Sequence, residues 1–332
     1  MTKLKCDSPA NVMLISTDIL GPEFFFFLQI FVVGRSTDIF IVQSDMGKFM
    51  IELAFDRSTG AIVISGKVAG IQTDLILDTG SPWELLVPYS QALEAGWIEG
   101  TEPQYDPRFV ERRAVRVDKE IDFTFKGTKL VFKEVVAWDL DNFRGGAYPL
   151  LGLKFLTRFR TEFNFARSNI RLHKLASEPS FPTKNVRAVW LHPVRNDALL
   201  MRAGIDDLFG WFIWDTGAET SILFRPTIEK IKRAWAKRLK WNEPMEHTLT
   251  GLSRLSQDFV VPELILSGLH PGRRSPGIKV ENAAFSGIDF PEHQAGLEAS
   301  CGLPLMGLIN ADVFDCKRLL LDPDYSCLWT AK

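Results

Sequence analysis

The chain has 332 residues, a formal net charge of -2 and an apolar share of 46%. That length holds two domains of ordinary size with a core each, and the near-neutral charge gives no reason to expect nucleic acid or an acidic membrane surface as a partner. Cys6, Cys301, Cys316 and Cys327 show no CxxC spacing, and no Asn-x-Ser/Thr acceptor occurs. Free thiols in a reducing compartment, and hence a cytoplasmic protein, are expected. A turn at Asp322-Pro323-Asp324-Tyr325 would place Cys327 across from Leu320 rather than from Cys316.

Residues 1–45 read as an N-terminal extension. Phe24 to Val33 is strongly apolar but only about half the length of a membrane-spanning helix, and Glu23 flanks it where a signal peptide carries positive charge. It reads as a buried β-strand; alternatively, the functional polypeptide begins near Met46. From there the pattern is β-rich. Phe49 to Phe55, a turn at residues 56–60 and Ala61 to Ser65 form a hairpin pattern, Gly66 and Gly70 punctuate a further turn, and Ile71 to Leu77 leads into Asp78-Thr79-Gly80-Ser81. Leu85-Leu86-Val87 follows, with Pro88 opening a short helix that ends near Gly96-Trp97. Residues 121–140 are strand-like, Leu150-Leu151-Gly152 leads a short helical run to Phe159, and a hairpin spans residues 163–172.

The same order recurs. Phe212-Ile213-Trp214 leads into Asp215-Thr216-Gly217-Ala218, then Ile222-Leu223-Phe224, then Pro226 opening a helix. Pro88 lies ten residues after Asp78 and Pro226 eleven after Asp215; Trp97 and Trp235 lie nineteen and twenty after them. Strands follow at Phe259 to Leu266 and Gly277 to Val280. Leu305-Met306-Gly307 echoes Leu150-Leu151-Gly152, with Phe159 and Phe314 each seven residues beyond the Gly. The chain is a tandem duplication: a first lobe at 46–176, a linker at 177–185 containing Pro179 and Pro182, and a second lobe at 186–332.

Each half resembles a retropepsin-type unit, and the whole resembles an aspartic protease with both lobes in one chain. The resemblance rests on the two apolar-Asp-Thr-Gly-Ser/Ala turns and the later apolar-apolar-Gly segments. It implies a mostly β, bilobal acid-protease fold of two similar β-barrel-like lobes with short helices. It also implies an aspartic endopeptidase that activates water between Asp78 and Asp215, with the alternative of a catalytically silent peptide binder using the same cleft. The substrate would be an extended polypeptide, the site would assemble in a monomer, and neither cofactor nor metal would be required.

The chemistry explains these residue types. Two close carboxylates cannot both ionise cheaply, so one serves as base and its protonated neighbour as acid; aspartic proteases are the standard instance of this shared proton. Gly80 and Gly217 leave room for a tight turn that aims amides at the carboxylates. The family's Thr hydroxyls lock the two loops together, which places Thr79 and Thr216 in that role. Ser81 is expected to donate to the outer oxygen of Asp78 and favour it as the ionised partner, a contact Ala218 cannot make. The family's flap position falls on Thr250, Gly251 and Leu252. Its first-half counterpart falls within Phe109 to Lys119, which is basic and lacks glycine, a departure from retropepsin flaps.

Taken singly, an Asp before Thr-Gly is an ordinary turn former; the duplication carries the catalytic reading. The segment from Pro226 to Trp241 has six Lys or Arg and an apolar stripe at Ile228, Ile231 and Trp235, the pattern of an amphipathic helix packed on its lobe. The five histidines show no metal-binding spacing.

Overall fold

A computed structural model of the chain describes residues 50–331 apart from 59, 100–103, 106–112, 126–127, 139–147, 176–185, 195–197, 236–239, 250–251, 268–276, 290 and 315. The apolar segment at 24–33 and the linker at 177–185 lie outside or almost wholly outside the described residues.

In the first half, β1 (Met50–Asp56), β2 (Val63–Val68) and β3 (Ile71–Asp78) follow one another, and β3 ends on the first Asp-Thr-Gly. β4 (Leu85–Pro88) runs into the short helix α1 (Tyr89–Glu94), with Pro88 at its N-cap. Next come β5 (Gln104–Tyr105), β6 (Arg113–Val117), β7 (Ile121–Phe125), β8 (Thr128–Phe132) and β9 (Val135–Trp138). β10 (Leu150–Gly152), α2 (Leu153–Leu156) and a hairpin of β11 (Phe159–Asn164) and β12 (Asn169–Lys174) close this half.

The second half opens with β13 (Val186–Val194), β14 (Ala198–Ile205) and β15 (Leu208–Trp214), the last delivering Asp215. β16 (Ile222–Phe224) leads into α3 (Arg225–Trp235), where Ile228 and Ile231 are buried as the stripe requires. β17 (Lys240–Leu249) and β18 (Leu252–Leu266) form a long hairpin, followed by β19 (Ile278–Ile288), α4 (Pro291–Cys301) and β20 (Leu305–Ile309). A 3-10 turn at Ala311–Phe314 and a hairpin of β21 (Arg318–Asp322) and β22 (Cys327–Ala331) end the chain.

Composition dictates the elements. Ile121-Asp122-Phe123-Thr124-Phe125 alternates, and its three apolar residues are the buried ones. β10 and β20 are apolar throughout because each is inserted between two strands and buried on both faces. β10 runs parallel to β3 and antiparallel to β4, while β20 runs parallel to β15 and antiparallel to β16. The two halves thus build the same crossing behind each Asp-Thr-Gly turn. The result is a mostly β, barrel-like fold in which the second half repeats the strand arrangement of the first.

Three local expectations are corrected. Gly66 lies inside β2, where a Cβ would strike the Phe123 ring; the turn is made by Ala69 and the expected Gly70, both at positive φ. The hairpin expected at 163–172 begins at Phe159. Cys327 faces Asp322, not Leu320, because the connection holds four residues and ends on Ser326 at φ 48. The equivalent connection after Asn164 ends on Ser168 at φ 49, so the duplication extends to the turn.

A six-stranded antiparallel sheet, ordered β1-β12-β11-β21-β22-β13, joins the halves, with β11 against β21 at its centre. There Glu162 is fully buried, bonded by Arg318 Nε (2.7 Å) and Nη2 (2.6 Å) and by His173 Nε2 (3.2 Å). Burial alone would raise its carboxyl, but the hydrogen bonds and charges of His173 and Arg318 outweigh that and hold it below the ordinary range. Arg318→Met leaves this charge with His173 alone. Denaturant unfolding should show a loss of about 3 kcal/mol or more; an unchanged midpoint would contradict the assignment.

Candidate active site

Asp78 and Asp215 are brought together by the ends of β3 and β15. Leu75 and Leu77 on one strand, and Phe212 and Trp214 on the other, are buried and fix the strand ends in the core. The edge of Trp214 packs on Phe163 of the joining sheet, with ring centroids 6.1 Å apart.

The two loops are cross-linked reciprocally. Thr79 Oγ1 donates to Trp214 O (2.8 Å) and accepts from the Thr216 amide (3.0 Å). Thr216 Oγ1 donates to Leu77 O (2.8 Å) and accepts from the Thr79 amide (3.1 Å). Both threonines are buried, so each bond is made in a dry setting where its loss leaves an unpaired polar atom.

Each carboxylate accepts two amides of its own loop on one oxygen. Asp78 Oδ1 takes Gly80 N (2.8 Å) and Ser81 N (3.2 Å), and Asp215 Oδ1 takes Gly217 N (2.9 Å) and Ala218 N (3.2 Å). The glycines serve a second purpose. A Cβ on Gly80 would stand 2.8 Å from Asp215 Cγ, and one on Gly217 would stand 2.6 Å from Asp78 Cγ. Each carboxyl therefore lies against the bare backbone of the opposite loop, which brings the two carboxyl groups close to each other.

The electrostatics follow. Both side chains keep part of their surface exposed, yet protein surrounds them closely enough for desolvation to dominate. Burial, then the charge and hydrogen bond of Asp215, push Asp78 well above the carboxylate range; burial raises Asp215 against the amides that favour its charge. The pair titrates as one unit that keeps a proton to unusually high pH.

Two expectations here are corrected. Ser81 Oγ is buried without a hydrogen-bond partner, so it does not reach Asp78. The amide donors are matched in the two loops, so Ser81 supplies no difference between the two carboxyls. The echo at Leu305-Met306-Gly307 is one of residue type and not of position. Gly152 stands beside Asp78 in the ladder, whereas the Asp215 amide bonds to Ile309 O, three residues downstream of the echo's Met306. Asn310, which no sequence pattern flagged, fills the place behind the second loop, holding Ser221 Oγ with its amide (3.1 Å) and with Oδ1 (3.0 Å). Gly307 is needed for another reason: its Cβ would overlap Ile222 O.

Thr250 and Gly251 lie outside the described residues, and Leu252 pairs with Leu249 in the β17–β18 ladder. Of the first flap range, 109–112 lies outside the described residues, and Arg113–Val117 is β6, paired with β9. Among the described residues, no cluster of three or more His, Cys, Asp or Glu is arranged to hold a metal, and no helix is long and apolar enough to cross a membrane.

No family model matches the sequence, and no curated protein matches it. Among solved structures the chain is similar to basic 7S globulin from soybean, with TM-score 0.46 and 9% identity over 85% of this chain and 94% of that one. It is also similar to a retropepsin-like aspartic protease from Rickettsia conorii, with TM-score 0.27 and 18% identity over 38% of this chain and 89% of that one.

Thr79→Val keeps the shape but strands Trp214 O and the Thr216 amide. Denaturant unfolding should show a loss of about 2 kcal/mol or more, with Thr79→Ser close to wild type. The dyad gives an opposite sign. Both carboxyls sit above their unfolded values, so the pair's contribution to stability is full below the unfolded carboxylate range and is lost as pH rises through the raised values. Asp215→Asn should therefore raise the thermal midpoint at neutral pH and raise it less near pH 4. A lowered midpoint at neutral pH would count against the strained dyad.

Proposed function

We propose that the chain is an aspartic endopeptidase. The observation that carries this reading is the pair of closely apposed, partly exposed carboxyls on two cross-linked loops. A water molecule bridging them attacks the peptide carbonyl: the ionised carboxylate takes the water proton, and its protonated partner gives a proton to the carbonyl oxygen. Collapse of the resulting diol returns a proton to the departing amide nitrogen, breaks the C–N bond and leaves one proton on the pair. The Gly80 and Gly217 amides favour the charge on each carboxylate through both steps.

The substrate is an extended polypeptide laid across the dyad, with the hairpin around Thr250, Gly251 and Leu252 as one wall that supplies strand-like backbone bonds. Both aspartates belong to one chain, so a monomer has a complete dyad. Cys301, Cys316 and Cys327 are free thiols, which fits a reducing compartment such as the cytoplasm.

The test is cleavage of an unfolded polypeptide from pH 3 to 8 by wild type, Asp78→Asn and Asp215→Asn. Each variant should lose at least about 100-fold in turnover. Because the pair holds its proton above the ordinary carboxylate range, wild-type cleavage should persist at pH values where an isolated carboxylic acid is fully ionised. Equal cleavage by all three proteins would remove the dyad as catalyst. Tight peptide binding without turnover at any pH would instead establish the silent-binder reading.

A further inference from the structure

A recess of about 380 Å³ lies on the second half, between the start of β15, α3, α4 and the residues leading into β20. It sits at the opposite end of β15 from Asp215: Phe209 and Trp211 are six and four residues before it, or about 20 and 13 Å along a strand.

The wall is built from unusual choices. Phe209 faces Gly204 across the β14–β15 ladder, and its ring occupies the space a Gly204 side chain would need, yet it remains 47% exposed. Trp211 faces Arg202 in the same ladder. The β15–β20 register breaks between Trp211 and Phe212, which pair with Leu305 and Gly307, leaving Met306 as the extra residue, with its sulfur packed on the Gly210 backbone. A bulge of this kind re-aims a side chain and is rarely accidental.

The first half serves as an internal control. Counting back from Asp78 by the same steps, the positions of Phe209, Trp211 and Arg202 are held by Gln72, Asp74 and Ser65, and Ser65 hydroxyl bonds to Asp74. The β3–β10 ladder runs without a bulge. The apolar shelf is thus a property of one half and not a requirement of the fold.

Charge narrows what covers it. Arg202 and Lys230 line the recess and are exposed, with no ion pair to a described residue. The lining acid, Glu298, has Oε1 engaged by Gln294 Nε2 (2.9 Å) and the Leu305 amide (2.9 Å), bonds that tie α4 to β20. Two cations against one committed carboxylate leave a positive rim over an aromatic floor. The volume falls within the range of small-molecule sites.

We propose that this recess binds a small aromatic carboxylate, its ring against Phe209 and Trp211 and its anionic group between Arg202 and Lys230. The site is separate from the dyad and does not rest on the peptidase reading.

The test uses the full chain and three probes of one shape, naphthalene-2-carboxylate, naphthalene-2-methanol and 2-naphthylmethylammonium, measured by titration calorimetry. The carboxylate should bind at least tenfold tighter than the alcohol, and the ammonium should not bind detectably. Lys230→Glu and Arg202→Glu, both exposed changes checked for folding by circular dichroism, should each weaken the carboxylate tenfold or more. Phe209→Ala should weaken carboxylate and alcohol alike. Asp215→Asn should leave all three unchanged. Equal affinity for the three probes, no binding of the carboxylate, or binding that survives both charge reversals would overturn the proposal.

Discussion

Everything at the centre of this molecule depends on two hydroxyl groups exchanged between the loops. Thr79 and Thr216 each reach across to the other half, giving a hydrogen bond to the carbonyl of the residue before the opposing Asp-Thr pair and taking one from the opposing Thr amide. Two closely apposed carboxyls repel each other and lose hydration, so no local preference brings them together. The hydroxyl exchange, with the strand ends anchored by Leu77 and Trp214, supplies the constraint that holds them in place. The same geometry forces glycine at 80 and 217, because each carboxyl occupies the space that a side chain there would need.

A second level of constraint lies behind the loops. Gly152 passes against Ser81 O, and Asn310 grips Ser221, so the two halves solve one problem with different chemistry. Glu84, six residues after Asp78 as Ser221 is after Asp215, accepts from the Glu134 amide (3.1 Å) and Arg158 (3.0 Å) and thereby ties the first loop to the residue before β9 and to the turn after α2. The sheet joining the halves is tied in the same spirit by Glu162, Arg318 and His173. The duplicated frame is conserved between the halves in topology and in turn geometry, while the polar ties within it have diverged.

What was legible in the sequence was local. An apolar run followed by Asp-Thr-Gly is complete within eight residues, and β3 and β15 end where that pattern ends. The helix opened by Pro226 and its buried Ile228 and Ile231 were equally plain. Pairings between distant segments were not: nothing in the order of residues announces β11 against β21, or Asn310 behind Asp215. Residue type also misled. Leu305-Met306-Gly307 copies Leu150-Leu151-Gly152 in letters, yet the bulge at Met306 and the extra turns of ladder put different residues beside the dyad. Ser81 has the chemistry to contact Asp78, but its hydroxyl is buried without any partner, a matter of loop path that composition does not encode. Helix α4 has no sequence signature, because Pro291-Glu292-His293-Gln294-Ala295-Gly296-Leu297 carries no apolar repeat at helical spacing.

The central claim is that the halves hold two carboxyls as one titrating unit. The most direct measurement follows the side-chain carboxyl carbons of Asp78 and Asp215 by NMR in ¹³C-labelled protein from pH 2 to 9, with the Asn variants used for assignment. The account predicts two well-separated steps, each felt by both resonances, with the upper step above the usual carboxylate range. Two independent single steps near the ordinary aspartate value would contradict it.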